Sequence, residues 1–297
     1  MPERRTARFD AYLTDALIER RTDLDKAKPA IEGALRILDD AGNLSLHQAC
    51  GFFAVTMHFH PDLIIELGRG EGNSTATFAL AGSLLHPSPR IVSYDLHNKW
   101  ETAVRALKPV ISEAALRSVD IRVENICSAD FAALIGDARR VLVLWDAHGF
   151  DIADKVLSGI MPILAERDHL VLMHDITDSR YCGFERSYKG GSIWRATYDL
   201  DENRETRHIT IGWVNTIVDQ AIPTMDFLRR NDAELHSADL QINTALEHGD
   251  PTVAALVENG TVARRNHWAF FSLNEAPGPY HFPTPSRRAS REIFRKS

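Results

Sequence analysis

Residues 61 to 80, PDLIIELGRGEGNSTATFAL, set an acid, Glu66, just ahead of three alternating glycines, Gly68, Gly70 and Gly72, and a small-residue run follows from Asn73 and Ser74. Glycines let the chain turn tightly and leave its backbone bare for a ligand to approach. A carboxylate this near would repel a pyrophosphate and suits a cationic ligand. A second acid, Asp95, closes the apolar run RIVSYD. Further on, RVLVLWDAHGF brings Asp146 and His148 to the end of one apolar run, and HLVLMHDITD brings His174 and Asp175 to the end of the next. A neutral imidazole accepts a proton near neutral pH, so His148 first and His174 second are the candidates for a general base. The structural alternative, a hydrogen-bonding histidine, stays open for each and weighs more for His174.

These residues need a scaffold that brings distant segments together. DLIIEL, RIVSYD, VDIRVE, RVLVLWD and HLVLMHD are strand-length and rich in β-branched residues or Leu, and helical stretches separate them. Five successive βα units predict a parallel sheet with helices on both faces, and right-handed crossovers put the loops after the strands on one edge. AELHSAD and HWAFFSLNE add two later strands. The predicted fold is α/β, a Rossmann-like, seven-stranded, mostly parallel sheet spanning residues 61–282. Residues 1–60 form an N-terminal helical extension, with one helix starting at Pro29 and stopping at Gly42 and another over LSLHQACGFFAVTMHF. Residues 177–212 have no clear periodicity and are expected to be a lid or acceptor segment in which Arg180, Tyr181, Trp194 and Arg195 are candidates to shape a pocket, with aromatic core packing the preferred reading of Trp194. Residues 283–297 read as a basic, flexible tail.

The chain has 297 residues, 44% hydrophobic and 25% charged, with a formal charge of −7. That balance argues against a general nucleic-acid binder. Its three cysteines form no C-x-x-C pair, no apolar stretch is long enough for a membrane span, and the opening residues lack the apolar core of a signal peptide. The expectation is a soluble, cytoplasmic protein with a small-molecule partner, no nucleic acid and no membrane, and room for a homo-oligomer.

Three readings of the glycine loop compete. A dinucleotide fingerprint needs a third glycine where this chain has Asn73, and a P-loop needs a lysine that is missing. The third fits: Glu66 followed by Gly68, Gly70 and Gly72 resembles motif I of the class I S-adenosylmethionine-dependent methyltransferases. The resemblance implies that Glu66 faces the methionine end of the cofactor and that Asp95 accepts the ribose hydroxyls. It places Ser128 near the adenine edge, with a helix N-cap as the alternative role. Ser74 and Asp146 complete the implied cofactor contacts. The chain after strands four and five looks like the small-molecule O-methyltransferases, including the cephalosporin-hydroxylase-like and the sugar or macrolide branch, which often hold a divalent ion. The implied ligands here are Asp146 and Asp175, for Mg²⁺ or Mn²⁺. His174-Asp175 departs from that branch's acidic pair, and imidazole suits Mg²⁺ poorly, so a site without metal stays open. The function implied is methylation of a small-molecule oxygen. An NAD(P)-dependent oxidoreductase and a non-catalytic ligand-binding relative are the alternatives.

Overall fold

The structure is a computed structural model and describes residues 9–38, 44–174 and 220–285. Seven strands form its sheet: β1 (Leu63–Leu67), β2 (Arg90–Asp95), β3 (Val119–Val123), β4 (Arg140–Trp145), β5 (Asp168–His174), β6 (His236–Ser237) and β7 (Trp268–Phe271). Their spatial order is β3-β2-β1-β4-β5-β7-β6. The first five are parallel, and β7 lies antiparallel between β5 and β6. This is the Rossmann-like, mostly parallel α/β sheet that the five βα repeats predict.

Strand periodicity decides which residues meet which helices. Ile64, Leu142, Leu144, Leu170, Leu172 and Phe270 point into one apolar core, while Ile65, Leu67, Val141, Val143, Val171 and Phe271 point into the other. Both faces are covered, so the central strands are apolar along their length rather than alternating. Helices α1 (Tyr12–Glu19), α2 (Arg21–Leu38), α3 (Leu46–Phe59) and α4 (Asn73–Leu84) bury residues in the first core. The opposite face is covered by α7 (Phe131–Ile135), by the continuous run Phe150–Asp154, Lys155–Ile160 and Met161–Leu164, whose middle turn is π-type, and by Ile222–Arg230. Two short helices, α5 (Trp100–Leu107) and α6 (Glu113–Arg117), lie between β2 and β3. No helix among the described residues is long and apolar enough to cross a membrane.

Some sequence boundaries move. The helix expected to start at Pro29 starts at Arg21, with Pro29 inside it. Leu24, Ala27, Ile31 and Ala34 form one buried stripe across the proline, and that burial outweighs the single backbone hydrogen bond the proline removes. The last strand is shorter than HWAFFSLNE, because the Ser272 side chain accepts from Asn274 N and turns the chain into a 3₁₀ turn. The edge strand in AELHSAD keeps two residues, His236 and Ser237. The expected stop at Gly42 and the segment 177–212 lie outside the described residues.

Helix α3 lies so near β7 that a Cβ on Gly51 would sit 3.0 Å from the Trp268 ring. Gly51→Leu should therefore overpack this contact and lower unfolding free energy by about 1–3 kcal/mol, read by chemical denaturation. Unchanged stability would mean that α3 is free to shift off the sheet.

Candidate functional site

The direction of the chain across the sheet reverses between β1 and β4: β1, β2 and β3 step one way, then β4 and β5 step the other. Loops leaving such a reversal diverge and leave a crevice, the usual ligand position in open α/β sheets. A cavity of about 390 Å³ lies there, walled by the loops after β1, β2, β3 and β4 and by the end of β5. Its size suits a small-molecule ligand.

Backbone hydrogen bonds fix the geometry of this edge. Gly68 N donates to Tyr94 O at 3.1 Å and Asp146 N donates to Leu67 O at 2.9 Å. At Gly68, φ is +98°, and a Cβ would lie 3.0 Å from Ala147 N and from Asp146 C. Only glycine lets the loop after β1 lie against the loop after β4. Gly70 and Gly72 also have positive φ. Asp95 closes the loop from the other side. Its Oδ2 accepts the backbone N–H of Arg69 at 3.1 Å and of Gly70 at 2.9 Å, and its Oδ1 accepts His97 N at 2.8 Å. Asp95 thus shapes the glycine loop while lining the cavity.

Glu66 lies behind the cavity wall. It is fully buried, and its carboxylate accepts hydrogen bonds from Ser74 Oγ at 2.5 Å, Thr75 Oγ1 at 2.6 Å and Ser93 Oγ. Burial is the larger effect and holds its pKa above the ordinary carboxylate value, and those three hydroxyls and the nearby Arg69 charge offset it only in part. The two α4 hydroxyls sit in that helix's first turn, where the backbone dipole favours an anion. The Arg69 guanidinium is buried too, donating to Ser93 O at 2.9 Å and His97 O at 2.8 Å. Glu66 therefore reaches the cavity only through Ser74, which is on the wall.

The cavity wall itself is acidic: Glu71, Asp95, Glu124 and Asp146 line it. Glu71 is ion-paired with Lys99, and Arg69 is turned inward to backbone oxygens. A cationic or hydroxyl-bearing ligand fits this field better than a phosphate does.

His148 and His174 both line the cavity, and each is held by a glutamine. His148 Nδ1 is 3.1 Å from Gln220 Oε1, whose amide nitrogen faces Trp145 O at 3.4 Å. That arrangement assigns the amide oxygen to the histidine, puts the ring proton on Nδ1 and leaves the lone pair on Nε2. His174 is only 2% exposed. Its Nδ1 is 2.9 Å from Asp146 Oδ1 and its Nε2 is 2.9 Å from Gln48 Nε2, so both ring nitrogens are engaged inside the protein. The two candidate bases thus differ: a glutamine oxygen faces His148 Nδ1, and a glutamine nitrogen faces His174 Nε2.

The remaining sequence candidates divide. Gly68, Gly70, Ser74 and Asp146 are on the wall, and Gly72 packs behind it, where a Cβ would lie 2.9 Å from the Trp100 ring. Ser128 is off the wall. Its hydroxyl donates to Asn125 O, and the N-cap of α7 is Asp130, so the N-cap role belongs to Asp130 rather than Ser128. Glu124, Asn125 and Ile126 line the cavity instead. Asp175 lies outside the described residues, so half of the expected metal pair does too. Among the described residues, donor atoms close enough to share an ion occur in Asp10, Glu234 and His236, at the β6 edge of the sheet and away from the cavity. Sequence reading missed Gln48, Gln220 and Arg69. Ser45-x-x-Gln48 is legible as a capping box, but nothing local to residue 48 or 220 signals contact with a histidine far along the chain.

No family model matches the chain, and no curated protein matches it. Similar solved structures include cofactor-bound Rv0187 from MTB, 14% identical over 82% of this chain and 89% of that one, with a TM-score of 0.43. Another is the SAH-bound methyltransferase PaMTH1 of Podospora anserina, 14% identical over 91% and 96%, with a TM-score of 0.45. The N-terminal domain of EvdMO1 with SAH bound is 19% identical over 52% and 64%, with a TM-score of 0.29. Similarity this distant assigns no function.

Glu66→Ala would leave three buried hydroxyls without their shared acceptor and Arg69 without a nearby countercharge. It should lower unfolding free energy by at least about 2 kcal/mol in urea titration, whether or not a ligand is present. A variant as stable as the parent would show that Glu66 does not brace the loop.

Proposed function

We propose that the chain is an S-adenosylmethionine-dependent methyltransferase that methylates an oxygen of a small molecule. The observation that carries this reading is the cavity at the strand reversal, where a glycine loop meets an acidic wall. Asp95 stands where an acid can accept a ribose diol, and Asp146 stands across the loop where a carboxylate can accept an amino group. Bound there, the cofactor supplies a methyl group on a sulfonium, which carries positive charge into an acidic site.

The oxidoreductase alternative fits less well. A dinucleotide pyrophosphate binds at the N-terminus of the helix after the glycine loop. Here the first turn of α4 already serves the Glu66 carboxylate through Ser74 and Thr75. The sheet also differs from the dinucleotide order 3-2-1-4-5-6, because β7 enters antiparallel beside β5.

Methyl transfer asks the protein for alignment, exclusion of water and removal of one proton. Asp95 and the loop backbone orient the adenosyl half, and Asp146 orients the amino-acid half. Through Nε2, His148 takes the proton of the acceptor hydroxyl, and Gln220 holds its ring by the Nδ1 proton. A divalent ion at Asp146 and Asp175 would clamp the acceptor oxygen only in place of the amino-group contact, because one Asp146 oxygen is already held by His174. In this reading the acceptor is a sugar or another hydroxylated natural product.

Isothermal titration should show binding of S-adenosylhomocysteine and none of NAD⁺; the reverse result would replace the reading with the oxidoreductase. Asp95→Ala should weaken S-adenosylhomocysteine about ten- to hundredfold, the loss of about 1.5–3 kcal/mol for a hydrogen bond to a charged group. His148→Ala should lower kcat roughly 10²–10⁴-fold with cofactor affinity nearly unchanged. Wild-type kcat in that variant would move the base elsewhere. Activity that survives exhaustive chelation would remove the metal from the mechanism and leave methyl transfer standing.

A further inference from the structure

A hydrogen-bonded chain runs from the N-terminal helices to the cavity, and each atom's role in it can be assigned. Ser45 N donates to Gln48 Oε1 at 2.8 Å, and Gln48 N donates back to Ser45 Oγ at 3.3 Å, which completes the capping box of α3. The box fixes which end of the Gln48 amide is oxygen. Its nitrogen, a donor only, then faces His174 Nε2 at 2.9 Å. Nε2 must carry the lone pair, so the ring proton is on Nδ1, directed at Asp146 Oδ1 at 2.9 Å. The imidazole is buried, with its ring centroid 6.3 Å from that of Phe52 on α3.

We propose that Gln48 and His174 are positioning residues that hold the Asp146 carboxylate by Oδ1 and present Oδ2 to the cavity. This rests on the reading that the cavity takes the cationic amino group of S-adenosylmethionine. A histidine Nδ1–H is the donor this task needs, and it fixes the carboxylate's orientation through one hydrogen bond. Gln48 fixes the ring in turn, because its amide N–H takes Nε2 as acceptor and leaves the proton on Nδ1. The N-terminal helices are thereby part of the cofactor site. Residue 48 reaches the carboxylate at 146 through one side chain from the end of β5.

The test uses the full chain and S-adenosylhomocysteine. In ¹⁵N spectra, with His174→Asn used to assign its signals among the 13 histidines, His174 should be neutral with its proton on Nδ1. Gln48→Leu removes the donor and should weaken S-adenosylhomocysteine about tenfold, the low end for losing an orienting partner. Gln48→Glu keeps the capping box and accepts from Nε2, so both ring nitrogens should become protonated. Asp146 stays held by Nδ1–H, and affinity should return to near the parent value. A merely structural Gln48 predicts the opposite order, with Leu tolerated in the buried site and Glu disruptive. If Gln48→Leu fails to fold, the Gln48→Glu spectrum and affinity decide alone. A proton on Nε2 in the parent protein, or parent-like affinity in Gln48→Leu, overturns the proposal. If the parent chain binds no S-adenosylhomocysteine, the proposed function fails, and the nitrogen spectrum by itself decides whether the relay exists.

Discussion

The site depends on a carboxylate that no ligand can touch. Glu66 is the one acid in the fully buried strand β1 and gathers hydroxyls from the first turn of α4 and from β2. Strand, helix and neighbouring strand are thereby fixed to one another directly beneath the glycine loop. Burying an anion costs free energy unless its lone pairs are satisfied, and three hydroxyl donors together with the nearby Arg69 charge offset part of that cost. Arg69 carries the same constraint outward, since it bonds to Ser93 and to the backbone at His97. With that cluster in place, the loop has one conformation to offer, and Asp95 locks it from above by accepting two of its N–H groups.

Two histidines at the same edge show how one residue type acquires different tasks. Each is held by a glutamine, and each carries its ring proton on Nδ1. At His174 the glutamine donates, so the lone pair is spent inside the protein and the proton is committed to Asp146. At His148 the glutamine accepts, so the lone pair belongs to the other nitrogen of a side chain that lines the cavity. The two rings therefore differ in the direction of the glutamine hydrogen bond that holds them.

The parallel strands and the loop were legible because their signals are local. Apolar runs ending in acids give β1, β2 and β4, and alternating glycines after β1 give a turn that tolerates positive φ. What the acids do was not legible. Glu66 and Asp146 both follow apolar runs, yet one is enclosed by hydroxyls and the other lies on the wall, a difference set by residues 74, 75 and 93. Ser128 misled because its hydroxyl satisfies its own turn at Asn125. Gln48 and Gln220 were invisible because their partners are 126 and 72 residues away. Pro29 suggested a helix start, and the apolar stripe that runs through it overrode that local cue.

The central claim is that the acidic cavity at the strand reversal receives S-adenosylmethionine with Asp95 and Asp146 at its two ends. A crystal structure of the chain with S-adenosylhomocysteine tests it most directly. The account predicts the ribose hydroxyls on the Asp95 carboxylate, the amino group on Asp146 Oδ2, and Glu66 still bound only to Ser74, Thr75 and Ser93. A ligand bound elsewhere, or one whose amino group has displaced those hydroxyls to reach Glu66, would contradict it.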